Sequence, residues 1–438
     1  MEQKIIDRTT IKGIRQNFFP YPLKNNELDE KNGFYVDTML ARTGNPAKLP
    51  IEDIFCDCTT GSYNFIHLLL GHRGCGKSTE INRLEIKFRD AGFAVKKIDC
   101  QAETNFASVR VEDILILISN ALLEICDEKS ILINKSDIET LRYFFAEKEE
   151  KTTDKDCETK GGGIGGGISI NTPIVKLSAD AKAQIMNTSE KITTIRENVI
   201  NHFSEWNRCI DNIIEKIKEK DNRKYPIIIF ENFDKIVPVE NAIKIFEKGY
   251  LEKIRTYIIY TFPISLSYSE KFGTIEQYAS SHFFPMIDVK TKEGKKNETG
   301  YNTIEKIIEK RAELTLFEDN VIDVLIEKTG GSLRDVFKCI ELALRYTDRN
   351  GKDKVGMEEL NMALNEVKSI LSRRIEKGEE GKDDYYALKK IHEAKIKTII
   401  EDKSKMLGFL EAHVVLEYNG ERWHDLHPLI YDFLKDKW

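Results

Sequence analysis

The chain has 438 residues, 41 % of them hydrophobic and 32 % charged, a length that predicts about two to four domains, each able to bury its own core. Lys and Arg number 67 against 73 Asp and Glu, a formal net charge of −6, which argues against a nucleic-acid binder that relies on overall basicity and leaves only a local basic patch. No window approaches the ~18–20 uncharged apolar residues of a membrane span, and Met1–Gln16 mixes charges where a signal peptide would be apolar. The eight cysteines are scattered; Cys56 and Cys58 form C-x-C, but no second Cys or His pair follows at zinc-finger spacing. The expectation is a soluble, cytoplasmic chain with reduced thiols and no membrane partner.

In chain order, residues 1–50 form an irregular N-terminal segment, interrupted by Pro20, Pro22, Pro46 and Pro50. FIHLLLG (65–71) predicts a short apolar strand, followed by a Gly-rich turn. The next stretch carries Ile81, Leu84 and Phe88 on one helical face, and Gly92 is placed to end that helix. A second strand follows at 93–99. Strand, loop, helix, strand opens a parallel α/β domain. Helices are expected at 108–126 and 136–148.

The character changes at 149–160, a charged linker, and at 161–167, which reads GGGIGGG. Alternating apolar residues after it (Ile168, Ile170, Val175, Leu177) predict a hairpin or extended flap, with a plain glycine linker as the alternative. A long helix over about 188–220 leads back to the core. YPIIIFEN (225–232) reads as a buried strand of the parallel kind. A helix near 239–253 precedes further strands at 255–263 and 281–290, and 291–300 is a polar linker. Helices at 301–315, 318–328 and 332–347 predict an all-α unit over 301–349. The last part, 352–438, has helices near 356–374 and 383–399, then VVLEY and RWHDL around Asn419-Gly420, a two-residue hairpin signal. Pro428 opens a final helix. Helices followed by a hairpin predict a winged-helix-like module.

Residues 71–78 read Gly-His-Arg-Gly-Cys-Gly-Lys-Ser and fit G-x-x-x-x-G-K-[ST] between a strand and a helix. Glycines in such a loop let backbone N–H groups surround a polyphosphate, and the helix N-terminus adds its dipole. The candidate phosphate-binding set is Gly71, His72, Arg73, Gly74, Cys75, Gly76, Lys77, Ser78 and Thr79. Lys77 is expected to reach the β- and γ-phosphates of ATP. The Ser78 hydroxyl and Glu231 are the candidate Mg²⁺ ligands. The strand 225–230 ends in Glu231-Asn232-Phe233-Asp234, and Asn232 cannot take a proton from water. Asp234 is therefore the nearest alternative base or water-orienting group, and slow hydrolysis is expected. Thr261 faces the γ-phosphate if its strand lies between those of the phosphate loop and the acidic cluster; otherwise it caps a strand end. In Thr329-Gly330-Gly331-Ser332-Leu333-Arg334-Asp335 the glycines end one helix and Ser332 caps the next. Arg334 then sits in a first turn, where a cation opposes the macrodipole; either it touches phosphate across a cleft or it is a plain surface arginine.

With these motifs in order, the sequence resembles the ATPases of the AAA+ and STAND classes, with origin-recognition-type and NACHT-like members nearest. The resemblance covers about 34–349 and, more loosely, the C-terminal end. It implies a P-loop NTPase α/β domain over 51–290 with an insert at about 149–185, a helical lid over 301–349 and a winged-helix-like domain over 352–438. Gly71, Gly76, Lys77 and Ser78 match the Walker A motif, and Glu231 and Asp234 take the acidic positions of Walker B. Thr261 matches sensor 1, Arg334 looks like sensor 2, and Phe34 to Thr38 with Arg42 lie where such proteins contact adenine. Two departures stand out: Glu231 replaces the usual Asp, and Asn232 replaces the usual catalytic Glu, a position where NACHT-like members often have Gly. Arg255 and Arg311 are the arginine-finger candidates.

The leading expectation is a nucleotide-driven switch that binds ATP and Mg²⁺, assembles with itself and acts on a partner protein; such bacterial ATPases often serve defence or mobile elements. Two alternatives stay open. One is DNA binding through the C-terminal end, with Arg422, Trp423 and His424 on its wing and Lys389, Lys390, Lys395 and Lys397 before it. The other is a scaffold that binds ATP without turning it over. His427, before Pro428, is read as a structural histidine that hydrogen-bonds its own loop.

Overall fold

The computed structural model describes residues 7–145, 185, 190–376, 384–395, 403–418 and 423–438. Its centre is a five-stranded parallel sheet of order β2-β3-β4-β1-β5. The strands are β1 (Ile66–Gly71), β2 (Val95–Asp99), β3 (Ile227–Glu231), β4 (Tyr257–Pro263) and β5 (Ala279–Phe283). β1 and β4 are buried at every residue, as mostly apolar strands covered on both faces by helices must be. The expected α/β class with a parallel sheet is the observed one.

Helices of seven or more residues are, in chain order, α1 (Pro50–Thr60), α2 (Lys77–Asp90), α3 (Val111–Glu128), α4 (Lys135–Phe145), α5 (Glu190–Asn201), α6 (Phe203–Lys220) and α7 (Glu240–Glu247). Then come α8 (Glu298–Glu309), α9 (Val321–Thr329), α10 (Leu333–Arg349), α11 (Met357–Ser372), α12 (Asp384–Ala394), α13 (Lys403–Glu411) and α14 (Pro428–Leu434). An antiparallel hairpin, β6 (Val415–Tyr418) with β7 (Trp423–Leu426), precedes α14. Most sequence-based elements fall in place. Gly92 ends α2 at φ +79°, with Phe93 N–H returning to the Phe88 carbonyl at 3.0 Å, the left-handed stop that glycine permits.

The departures have local causes. The helix expected over 188–220 is two, because His202 leaves the helical region (φ −118°, ψ 31°). The turn re-phases the apolar stripe so that Phe203 and Trp206 stack, centroids 5.6 Å apart. The strand expected over 281–290 stops at Phe283, for Pro285 has no N–H to give the ladder. Past it, Met286 N–H donates to the Glu417 carbonyl and Asp288 N–H to the Ala41 carbonyl, so this stretch joins other parts of the chain. α13 was not read from sequence; its short run around Gly408 has little apolar periodicity. The expected flap at 168–181 and the Asn419-Gly420 turn lie outside the described residues.

Beneath the end of β3, Phe230, Phe233, Phe246, Tyr260 and Phe262 form one aromatic group, with Phe230 stacked on Tyr260 at 4.9 Å and Phe233 against Tyr260 at 5.0 Å. This group fixes the segment that carries Glu231 and Asp234. The helical unit and C-terminal module share a second apolar core, which Ile11, Ile14 and Phe18 of the N-terminal segment enter. Gly331 is where this unit meets the sheet domain: at φ +84° a Cβ there would lie 2.0 Å from the Ile287 carbonyl oxygen. Only glycine permits that approach.

Candidate functional site

All five strands point their C-terminal ends toward one edge, where open α/β sheets bind ligands. β1 delivers Gly71 to that edge, the loop 72–76 turns, and α2 starts at Lys77 with no side chain capping its N-terminus. Gly74 adopts φ +80°, and a Cβ there would strike the Arg334 side chain, 2.4 Å from its Nε. Arg334 thus crosses directly over the loop from the first turn of α10. It is exposed and makes no ion pair or hydrogen bond among the described residues.

Lys77 is buried. Its ammonium donates to the carbonyls of Gly71 at 2.8 Å and His72 at 2.9 Å, and pairs with the Asp234 carboxylate at 2.9 Å. Burial alone would raise the Asp234 carboxyl; the Lys77 ammonium, with Arg73 behind it, outweighs burial and holds it below the ordinary carboxylate range. Thr261 sits on β4, between β1 and β3 as its expected role requires. Its hydroxyl accepts from Phe233 N–H at 3.2 Å and lies 3.3 Å from Asp234 Oδ1.

The Ser78 hydroxyl and Lys97 both act on the Glu231 carboxylate, and Lys97 approaches it at 4.0 Å. Burial dominates at Glu231 and raises its pKa against Lys97 and Ser78. Two oxygen donors at a helix N-terminus beside a phosphate loop fit a hard divalent cation such as Mg²⁺. Asn232 is in the left-handed region (φ 61°), where Asn is tolerated. Its amide donates to Asp99 Oδ1 at 2.7 Å. Asp99, level with Glu231 in the β2–β3 register, is an acidic strand end that the sequence reading passed over; FAVKKID ending in Asp was the available signal.

Other members of the loop serve the scaffold. His72 is buried, and its Nε2 accepts from the backbone N–H of Glu417 on β6 at 2.9 Å. Its ring meets His413 edge-on at 5.5 Å. Burial lowers its pKa to about 4, against the pull of Glu417 and with Lys77 adding to the fall. Arg73 donates to the Asp234 carbonyl at 3.0 Å and pairs with Glu411 of α13 at 3.3 Å. Cys75 is buried, and its carbonyl accepts from Arg42. The Thr79 hydroxyl accepts from Leu23 N–H at 3.2 Å, which lays the N-terminal segment beside the loop.

A cleft of about 410 Å³ opens beside the loop, lined by Pro22, Phe34, Tyr35, Val36, Lys77, Ser78, Glu231, Asp99 and Arg334. This is a size suited to a small ligand. Phe34 to Thr38 therefore border the loop, but Arg42 is buried and spent: it donates to Thr38 Oγ1, the Pro285 carbonyl and the Cys75 carbonyl, and stacks on Phe284 at 4.2 Å. Arg311 is buried between Phe34 and Phe337, 4.8 Å from each ring, and donates to the Phe34 and Ile307 carbonyls. A guanidinium so enclosed cannot reach a neighbouring chain, so Arg311 is not an arginine finger. Arg255 is exposed before β4, at the opposite edge of the sheet. Ser332 stands at the cap position of α10, but its buried hydroxyl makes no capping hydrogen bond.

The C-terminal end corrects the expected wing. Trp423 is buried and stacks on Tyr418 at 4.5 Å; His424 is buried 2.7 Å from Tyr268 Oη. Lys395 pairs with Asp425, and Lys390 lies over Tyr386 at 4.4 Å. Arg422 and Lys397 lie outside the described residues. His427 is buried, with its Nδ1 accepting from Leu429 N–H at 3.2 Å, as a structural histidine would, and its Nε2 3.3 Å from Asp335.

No protein-family model matches the chain, and no curated protein sequence does. Among solved structures it is similar to the Walker-type ATPase PABY2304 of Pyrococcus abyssi (12 % identity, 96 % of this chain and 99 % of that one, TM-score 0.43). It is also similar to the ORC2 protein of Aeropyrum pernix in ADPNP–ADP complexes (12 % identity, 94 % and 98 %, TM-score 0.37) and to Cdc6p of Pyrobaculum aerophilum (11 % identity, 95 % and 99 %, TM-score 0.37). With every TM-score at or below 0.43, activity and partners rest on this chain's own residues. No described helix is long and apolar enough to cross a membrane.

Proposed function

We propose that this chain is a P-loop ATPase of AAA+ or STAND-like build that binds ATP with Mg²⁺, hydrolyses it slowly and works in the cytoplasm as a nucleotide-dependent switch for a partner protein. The observation that carries this reading is the convergence at one sheet edge of Lys77 with Asp234, Ser78 with Glu231, Thr261, and Arg334 reaching over the loop from the helical unit. In this reading Lys77 moves from Asp234 to the β- and γ-phosphates, Ser78 and Glu231 hold Mg²⁺, and Arg334 links the helical lid to the γ-phosphate. Slow turnover fits the acidic cluster. Asn232 holds the position of the usual catalytic Glu, cannot take a proton from water, and has its amide turned onto Asp99.

Self-assembly in the ATP state follows from the same resemblance, with an arginine of a neighbouring copy completing the site. The DNA-binding alternative is weakened in the described residues, because Trp423, His424 and Lys395 are committed inside the module.

The test is size exclusion with light scattering, with and without ATP·Mg²⁺, together with nucleotide binding and phosphate release. Wild type is expected to bind ATP, enlarge and release phosphate slowly. Lys77→Ala is expected to weaken ATP binding roughly tenfold or more, the scale of one lost charge-assisted phosphate contact, and to abolish assembly. Equal ATP binding by wild type and Lys77→Ala would overturn the reading. Tight binding with neither assembly nor phosphate release would instead identify a scaffold.

A further inference from the structure

On the face of the sheet beneath α1, His67 of β1 and His282 of β5 point at one another. His67 Nδ1 lies 3.1 Å from His282 Nε2, and Asp57 Oδ2 of α1 lies 3.8 Å from the same His67 nitrogen. The three donor atoms fall within 4.8 Å of one another. Both rings are buried, and the other nitrogen of His67, Nε2, has no hydrogen-bond partner. The polar contacts of that ring are therefore this cluster.

Each imidazole turns one ring nitrogen into the cluster. Neutral imidazole is the form that ligates metals. The Asp57 carboxylate pairs with no Lys or Arg among the described residues. The cluster thus joins two imidazole nitrogen donors to a carboxylate without a Lys or Arg partner.

We infer that Asp57, His67 and His282 form a binding site for a divalent transition-metal ion of the zinc class, separate from the nucleotide cleft. Two ligands at ~2.0–2.1 Å from a tetrahedral zinc lie roughly 3.3 Å apart, close to the His67–His282 spacing of 3.1 Å. A nitrogen-rich donor set selects zinc, cobalt or nickel over magnesium, which prefers oxygen. Asp57, half-exposed at 38 %, is the side from which an ion enters and where water takes the fourth position. The ion clips α1 to two neighbouring strands.

The test is titration of the purified, metal-stripped full chain with Co²⁺, read by visible absorption, and with Zn²⁺, read by equilibrium dialysis and thermal midpoint. One ion per chain is expected, with ligand-field bands, no thiolate charge-transfer band, and a Zn²⁺-dependent rise in midpoint. His282→Gln should lose the bands. Asp57→Asn, at the more exposed ligand and so the safer variant for folding, should weaken binding about tenfold or more. Lys77→Ala should leave uptake unchanged, which keeps this site apart from the nucleotide reading. No uptake by wild type, uptake unaltered in both ligand variants, or a thiolate band would each overturn the proposal.

Discussion

Strands β1, β3 and β4 and the hairpin β6–β7 are all closed off from water, with only Glu231 at the end of β3 partly reached, yet they are filled differently. The sheet strands carry Leu68, Leu69, Ile228, Ile229, Phe230 and Ile259. The hairpin carries Glu417, His424 and Asp425, each at most 1 % exposed. Glu417 and His424 share Tyr268 Oη. Asp425 takes His392 at 2.7 Å together with Lys290 and Lys395; burial pushes its carboxyl up, and those three partners pull it well below the usual range. Apolar side chains require only an interior, whereas each buried polar atom requires one particular partner. The comparison teaches that the sheet is held by area and the hairpin is held in one pose against the phosphate loop and the helical unit.

The largest effect that sharpens this contrast belongs to the sheet. Phe230→Ala removes a ring stacked on Tyr260 and should cost about 3–5 kcal/mol, measured as a fall in the urea midpoint. Asp425→Ala leaves three partners without their anion, two of them lysines with 25 % and 18 % side-chain exposure. Because water still reaches those ammonium groups, a smaller loss of about 2–3 kcal/mol is expected. A loss above that of Phe230→Ala would break the comparison.

Acid should act on the hairpin side next. His72, at about 4, and His413, lowered further by burial and by His72, stay neutral in the folded chain. The unfolded chain takes up their protons below about pH 6.5, so stability is complete above that value and falls as pH drops from about 6.5 toward 4. The slope is on the order of 1 kcal/mol per pH unit for each histidine, and His72→Gln should flatten it in urea titrations at pH 7, 6 and 5. Asp335 works in a lower window. Burial raises it, but His427, with His413 behind it, brings it to about 2, so its contribution is present above about pH 4 and lost toward pH 2. The smallest effect is Tyr418→Phe, which removes one bond to the Gly330 carbonyl at 2.9 Å. About 1 kcal/mol is expected, with the nucleotide affinity unchanged.

The sheet and the nucleotide cleft were legible in sequence to different depths. Apolar runs set β1, β3 and β4, the loop spacing set Lys77 and Ser78 and the strand end set Glu231, whereas Thr261 depended on a strand order that only the fold supplies. His72 illustrates what was hidden. It occupies a variable position of the loop motif, and its partner, Glu417, is 345 residues away, a separation that leaves no local pattern. Trp423 and His424 look like wing residues because an Asn-Gly hairpin normally projects into solvent; here Tyr418 stacks on Trp423 and Tyr268 meets His424, and both side chains are buried. Arg311, an arginine-finger candidate, and Arg42, expected beside the adenine contact, instead have their charges absorbed by backbone carbonyls from distant segments. Only the fold assembles those acceptors.

In the proposed nucleotide-binding reading, the pairing of Lys77 with Asp234 and two loop carbonyls makes the arrival of a phosphate an exchange of partners rather than the filling of an open place. The ammonium gives up three acceptors as it gains new ones, so part of the gross attraction is cancelled and the observed affinity understates the contact formed. The same exchange leaves Asp234 without its cation whenever the cleft is occupied. Occupancy is thereby converted into a freed negative charge next to Arg73, the residue that already reaches the C-terminal module through Glu411.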